Sequence, residues 1–150
     1  MKRRLFRFLL DLIRHRSGRV FVSLRLKFYR CLGMKMGNDV LIAAGVYIEY
    51  PEKMQVGDHV SIQHHCFISC YGGVKIGSDV SIAHGVSIIT STHPLHGGGA
   101  IRQRPLEAGS VKIGDDVWVG MKASIMIWAP LAKSPNWASQ IQSVVGDAEE

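Results

Sequence analysis

From Met36 onward the large aliphatic residues of this chain fall on a six-residue step: Met36, Ile42 and Ile48, then Val56, Ile62 and Ile68, then Ile76, Ile82 and Ile88, and finally Ile113, Val119 and Ile125. A second, smaller apolar residue follows four positions later at Val40, Val46, Val60, Cys66, Val80, Val86, Val117 and Ala123. A longer period of twenty lies over this step. Gly37-Asn-Asp-Val40, Gly57-Asp-His-Val60 and Gly77-Ser-Asp-Val80 stand twenty residues apart, and Gly114-Asp-Asp-Val117 repeats them after a wider gap. A six-residue unit with one inward aliphatic and a following tight corner suits a short strand, and three such units close one triangular coil. Each coil buries its apolar row only against its neighbours, at the ~4.8 Å strand spacing. Glycine after the aliphatic fits a corner that needs positive φ or close backbone approach. Twenty residues are three hexapeptides plus two, with the surplus lodged at one corner, in 50–55 and 70–75. An antiparallel sandwich also alternates, but it gives no reason for a fixed twenty-residue register. The pattern therefore predicts an all-β fold, a left-handed parallel β-helix of hexapeptide repeats over residues 36–126.

At the same corner of the third coil the chain does not return. It runs from Thr90 to about Lys112, through His93-Pro94-Leu95-His96, glycines at 97–99, Arg102 and Arg104. A long excursion on a rigid prism that opens with chemistry-capable side chains points to function. Residues 1–35 form a basic, partly helical extension. Beyond Met126 the step is lost, and the prolines at 130 and 135 argue against a regular coil, so 127–150 is expected to be irregular.

The length of 150 residues fits one main domain. No apolar run approaches the ~20 residues needed to span a bilayer. The net charge of +6 is uneven, because residues 1–33 carry ten Lys and Arg against the single acid Asp11, which leaves the body mildly acidic. That distribution argues against a nucleic-acid-binding body and directs attention to what the arm touches. Two readings of the arm stand side by side. It can cap the open end of the β-helix, or it can lie as a peripheral element on an anionic membrane. The cap is preferred because the arm leads through Phe28 and Tyr29 straight into the first coil. Cys31, Cys66 and Cys70 are odd in number and lack paired spacing, so reduced and mostly buried thiols are expected. Leu9-Leu10 and Leu12-Ile13 are interrupted by Asp11 and no small-residue cleavage site follows, which predicts a cytoplasmic protein without a secretory signal.

Ile82-Ala83 through Ser91-Thr92-His93-Pro94, then Arg102, then Ile113-Gly-Asp-Asp-Val-Trp-Val-Gly120 resemble the hexapeptide-repeat O-acetyltransferases of the maltose, galactoside and capsular-polysaccharide group. The resemblance covers roughly residues 36–126. It implies a homotrimer that transfers an acyl group, acetyl in the first instance, from acetyl-CoA to a sugar hydroxyl in glycan or surface-polysaccharide assembly. His93 matches the family's general base, a role that imidazole fills at neutral pH. Gln63, Trp118 and Arg102 fall where the family contacts the acceptor. Trp118, Gly120 and Lys122 fall on the coenzyme side. None of Cys31, Cys66 and Cys70 matches a nucleophile, although Cys70 is placed near an outer corner, so direct attack in a ternary complex is expected, without a metal.

Two rival readings remain. His64 and His84, twenty residues apart, should stack on adjacent coils, and with His93 and His96 they raise a γ-class carbonic anhydrase-like zinc protein, which shares this fold. The family's Trp turn is also followed by a further Pro-Gly-Val-Thr-Ile-Gly coil that this chain lacks. That departure raises a truncated, non-catalytic family member whose coenzyme A groove is incomplete.

Overall fold

The computed structural model describes residues 2–94 and 99–127. Three parallel sheets, each of four strands and each drawing one strand from every coil, form the faces of a prism. The first face holds Lys35–Met36, Met54–Val56, Val74–Ile76 and Val111–Ile113; the second Leu41–Ile42, Ser61–Ile62, Ser81–Ile82 and Trp118–Val119; the third Tyr47–Glu49, Phe67–Ser69, Ser87–Ile89 and Ser124–Met126. This is a left-handed parallel β-helix. Register follows the twenty-residue period, pairing Ile42 with Ile62 and Ile62 with Ile82. After the excursion it resumes without slippage, pairing Ile82 with Val119 and Ile88 with Ile125. The inward rows are the aliphatic ones. Ile42, Ile62, Ile68, Ile82 and Ile88 are fully buried, while Met36, Ile113 and Ile125 on the end coils are partly buried. Cys66 and Cys70 join the core and Cys31 is exposed. Cys70 stands at a corner of the chain but points inward, away from any outer surface.

The corner motif divides its tasks by position. A Cβ on Gly77 would sit 2.7 Å from the carbonyl oxygen of Gly114, so the glycine is there for close approach of one coil to the next. Positive φ falls instead on the residue two places later, at Asp39, His59, Asp79 and Asp116. Between them runs a ladder of side chains. Asp58 accepts from the Asn38 amide at 2.6 Å, Ser78 from the Asp58 amide at 3.1 Å and Asp115 from the Ser78 amide at 2.7 Å. These contacts satisfy corner amides that the strand ladders leave unpaired.

Two helices cover the first coil, α1 over Lys2–Ile13 and α2 over Arg19–Cys31. Leu10 of α1 and Tyr29 of α2 are buried against the core. Arg25, 1% exposed, works as a plug. Its guanidinium donates to the carbonyls of Ile42 at 3.1 Å, Arg16 at 2.7 Å and Ile13 at 3.3 Å, tying the first coil to both helices. Arg14 stacks on the Tyr47 ring at 4.0 Å and pairs with Asp11. The arm therefore closes the open end of the prism.

Burial pushes the Tyr29 phenol up to about 12 from an ordinary 10.0 and the Cys70 thiol up to about 12 from 9.0. Between those limits the unfolded chain releases protons that the folded chain retains. Stability is thus full below about pH 9 and falls as pH rises to about 12. Urea midpoints measured at about pH 8 and about pH 11 should show the loss, and Tyr29→Phe should remove the part that begins near pH 10.

Candidate active site

The excursion leaves the third corner through a pinned neck. Thr90 is fully buried; its hydroxyl donates to the Ser69 carbonyl at 2.7 Å and accepts from the Gly72 amide at 2.8 Å. Ser91 and Thr92 then pair antiparallel with Ala108 and Glu107, and the Gly109 amide donates to the Thr90 carbonyl at 3.2 Å. A Cβ on Gly72 would fall on the Gly109 backbone, so the returning leg of the neck packs directly against the corner of the preceding coil. The chain rejoins the prism at Val111, paired with Val74.

His93 follows directly on this neck. It is half-buried, and its Nδ1 is shielded from solvent with no hydrogen-bond partner among the described residues. Arg104 holds the segment in place, donating to the Pro94 carbonyl at 2.8 Å and the Gly99 carbonyl at 3.1 Å across the mouth of the loop. Arg102, singled out in the sequence, lies exposed on a single 3-10 turn, Ile101–Gln103. His96 lies outside the described residues. The two arginines separate experimentally. Arg104→Ala should disturb whatever His93 does by about tenfold or more, since misplacement of a reacting group by ~1 Å can reduce rate 10²-fold. Arg102→Ala should leave thermal stability unchanged, and a melting curve of each variant with a turnover assay checks both.

The other sequence-derived residues gather at the second corner. Gln63 on the second coil, Ala83 on the third and Gly120 on the fourth form one column, with the Gln63 amide donating a hydrogen bond to the Ile82 carbonyl and the Ala83 amide to the Val119 carbonyl. The Trp118 indole, 68% exposed, folds back to within 3.8 Å of where a Gly120 Cβ would lie. Lys122 is exposed and takes φ 58°, the left-handed turn position that Gly45, His65 and Gly85 occupy on the other coils. His64 and His84 do stand in one column, with the Gly85 amide on the His64 carbonyl and the Lys122 amide on the His84 carbonyl, and both are exposed. Among the described residues no three His, Cys, Asp or Glu side chains converge as metal ligands. Within one chain, then, His93 stands at the third corner and the Gln63, Trp118 and Lys122 group at the second, with the whole third face between them. A crevice of about 210 Å³ lies elsewhere again, between α1 and the first coil, lined by Arg7, Leu10, Arg14, Tyr29, Tyr47 and Tyr50.

Thr90 and Arg104 are the site residues that the sequence pattern does not mark. Thr90 occupies what reads as an ordinary strand position, and Arg104 is one of two arginines in the loop with nothing local to set it apart.

The stacked coils define a left-handed β-helix of hexapeptide repeats, and the chain resembles the acetyltransferases built on it in both sequence and structure. The Saccharomyces cerevisiae protein YJL218W, named as a candidate acetyltransferase, is 33% identical over 98 residues, covering 65% of this chain and 49% of that protein. Nodulation protein L of Rhizobium meliloti is 30% identical over 93 residues, covering 61% and 50%. The chain thus spans about half the length of the curated relatives it matches. No protein-family model matches it. Among solved structures, a galactoside acetyltransferase in complex with coenzyme A superposes with a TM-score of 0.71 at 23% identity, over 83% of this chain and 62% of that one. A variant of AntD, an N-acyltransferase from Bacillus cereus bound to dTDP and coenzyme A, gives a TM-score of 0.52 at 14% identity, over 67% and 68%. These likenesses establish the β-helix. No helix among the described residues is long and apolar enough to cross a membrane.

Proposed function

We propose that the protein is a coenzyme A-dependent O-acyltransferase that moves an acetyl group to a sugar or glycan hydroxyl, with His93 as general base. The observation that carries this reading is His93 itself, a half-buried imidazole at the mouth of an excursion whose neck is pinned by Thr90 and whose mouth is clasped by Arg104. The named relatives and the coenzyme A-bound neighbours supply the reaction class.

In the reaction, the imidazole takes the acceptor hydroxyl proton as its oxygen attacks the thioester carbonyl. The tetrahedral intermediate then collapses, expelling the coenzyme A thiolate, which recovers the proton from the imidazolium. Burial of Cys66 and Cys70 raises both thiols, which favours direct transfer over an acyl-enzyme. Gln63 and Arg102 are assigned to the acceptor, Trp118 to both substrates, and Gly120 and Lys122 to the coenzyme, where the Lys122 cation suits a phosphate. Because Gln63, Trp118, Gly120 and Lys122 stand at a different corner from His93 and Arg102, one chain does not gather them. A cyclic homotrimer, with each cleft built by two chains, would. Use of acyl-CoA places the enzyme in the cytoplasm.

The test is thiol release from acetyl-CoA against a panel of sugars, with light scattering on the same sample. Acceptor-dependent release by a trimer is expected. Acceptor-independent or absent release from a protein that stays monomeric at micromolar concentration would overturn the reading.

A further inference from the structure

The apolar arc of α1 is wider than the body beneath it. Leu10 is buried against the prism, and Phe6 and Ile13 lie partly covered on the same side. Leu5, Phe8 and Leu12 remain 55%, 58% and 58% exposed. At about 100° per residue these three share a sector roughly 60° wide, so they form one continuous outward stripe and not scattered surface residues. Arg4 is exposed along one edge of that stripe; exposed Arg3 and Arg7 project from the side nearer Leu10, and exposed Arg16 in the connection and Arg19 at the start of α2 follow. The single acid of the helix, Asp11, is already paired with Arg14.

We propose that α1 is a membrane-docking helix that lies in the plane of an anionic bilayer surface, with Leu5, Phe8 and Leu12 in the acyl boundary, Arg4 among the lipid headgroups and the remaining exposed arginines of the arm adding longer-range attraction. An apolar stripe edged by Arg4, on an arm with a large excess of exposed arginine, needs an occupant that is apolar at depth and negative at its surface, and an anionic bilayer provides both within a few ångströms. A second copy of the chain fits less well, because each copy brings the same excess of arginine to the contact. The docking face is separate from the acyl-transfer reading. It concerns only the arm, and it leaves α2 and Arg25 free to close the prism from the other side. It combines the two roles open to the arm: the inner side of α1 helps cap the coil while the outer side meets lipid.

The experiment is co-sedimentation of the intact chain with phosphatidylcholine vesicles, with and without roughly one phosphatidylglycerol in four, across a salt series. Wild-type protein should sediment with the anionic vesicles, and salt should release it. The double variant Phe8→Ser and Leu12→Ser should lose most binding at either salt while keeping the wild-type melting temperature, since both side chains are more than half exposed. The variant Arg4→Gln should weaken binding about fivefold, the loss of one cation near the surface. Absence of wild-type sedimentation with anionic vesicles would overturn the proposal, as would binding by both variants as strong as that of the wild type. An oligomer that the Phe8→Ser and Leu12→Ser variant breaks, without any vesicle binding by the wild type, would assign the stripe to a second copy and overturn it as well.

Discussion

His93→Ala is expected to lower kcat by roughly 10²–10⁴ while coenzyme A binding persists, the usual loss when a general base is removed from an otherwise intact site. The expectation rests on where the side chain stands. His93 follows two residues of antiparallel pairing, and the Arg104 bond to the Pro94 carbonyl fixes the next residue, so the imidazole is held from both sides by backbone contacts. Removing the ring takes nothing from those contacts, so the neck and the prism should survive and the melting temperature should hold. Initial rates with saturating acetyl-CoA, together with a direct coenzyme A titration, separate the outcomes. Near wild-type turnover would remove His93 from the mechanism, whereas loss of coenzyme binding in parallel would recast it as a structural residue. His93→Gln, which keeps a hydrogen-bonding side chain but no base near neutral pKa, should be nearly as slow as His93→Ala.

The largest effect on stability is expected at Ile82→Ala. Ile82 is fully buried at the centre of the second face, flanked in register by Ile62 below and Val119 above. Coils on either side are tied to it by strand ladders, so the prism has little freedom to collapse into the space left behind. A cost of about 2–5 kcal/mol follows, a large part of the roughly 5–15 kcal/mol that holds a domain together. With about 2–4 °C per kcal/mol for a chain of this size, the melting temperature should drop by roughly 5–20 °C. One residue earlier on the same strand the outcome reverses. Ser81 faces outward and its hydroxyl lies 3.0 Å from that of Ser61, so Ser81→Ala should cost less than about 1 kcal/mol. Thermal melts of the two variants side by side test whether burial, and not strand position, sets the scale.

The contrast between Ile82 and Ser81 also shows which parts of the fold could be read in advance. Inward positions were legible because they repeat: a coil cannot bury its row except against the same row of its neighbours, so Ile62, Ile82 and Val119 must recur in step. Corner glycines were legible as a class, but their cause was not. Close approach at Gly77 and positive φ at Asp79 are both compatible with the motif, and only the stacking of one coil on the next assigns each to its residue. Arg25 shows where local pattern misleads. In a basic helix it reads as one more solvated cation, yet it is the most deeply buried charge among the described residues, because the carbonyls of Ile42 in the first coil and of Ile13 and Arg16 in the turn after α1 converge on it. Thr90 and Arg104 escaped for the same reason, since their partners lie across the neck. His93 and Trp118 could be picked out by motif, but that they stand at different corners follows only from counting strands around the prism.

The closed neck of the excursion has an evolutionary consequence. Because Ser91 and Thr92 pair with Ala108 and Glu107, and Val111 rejoins Val74 in the register that Val74 itself keeps with Met54, the intervening residues contribute no phase to the stack. An insertion or deletion inside the prism shifts every later row off the core, whereas one beyond the neck shifts nothing. The excursion is therefore an exchangeable cassette. On the acyl-transfer reading its length and composition can drift under selection for a new acceptor while the scaffold that carries it stays the same, and grafting a foreign loop between Pro94 and Arg104, which keeps both His93 and its clasp, should alter what the site accepts before it alters whether the chain folds.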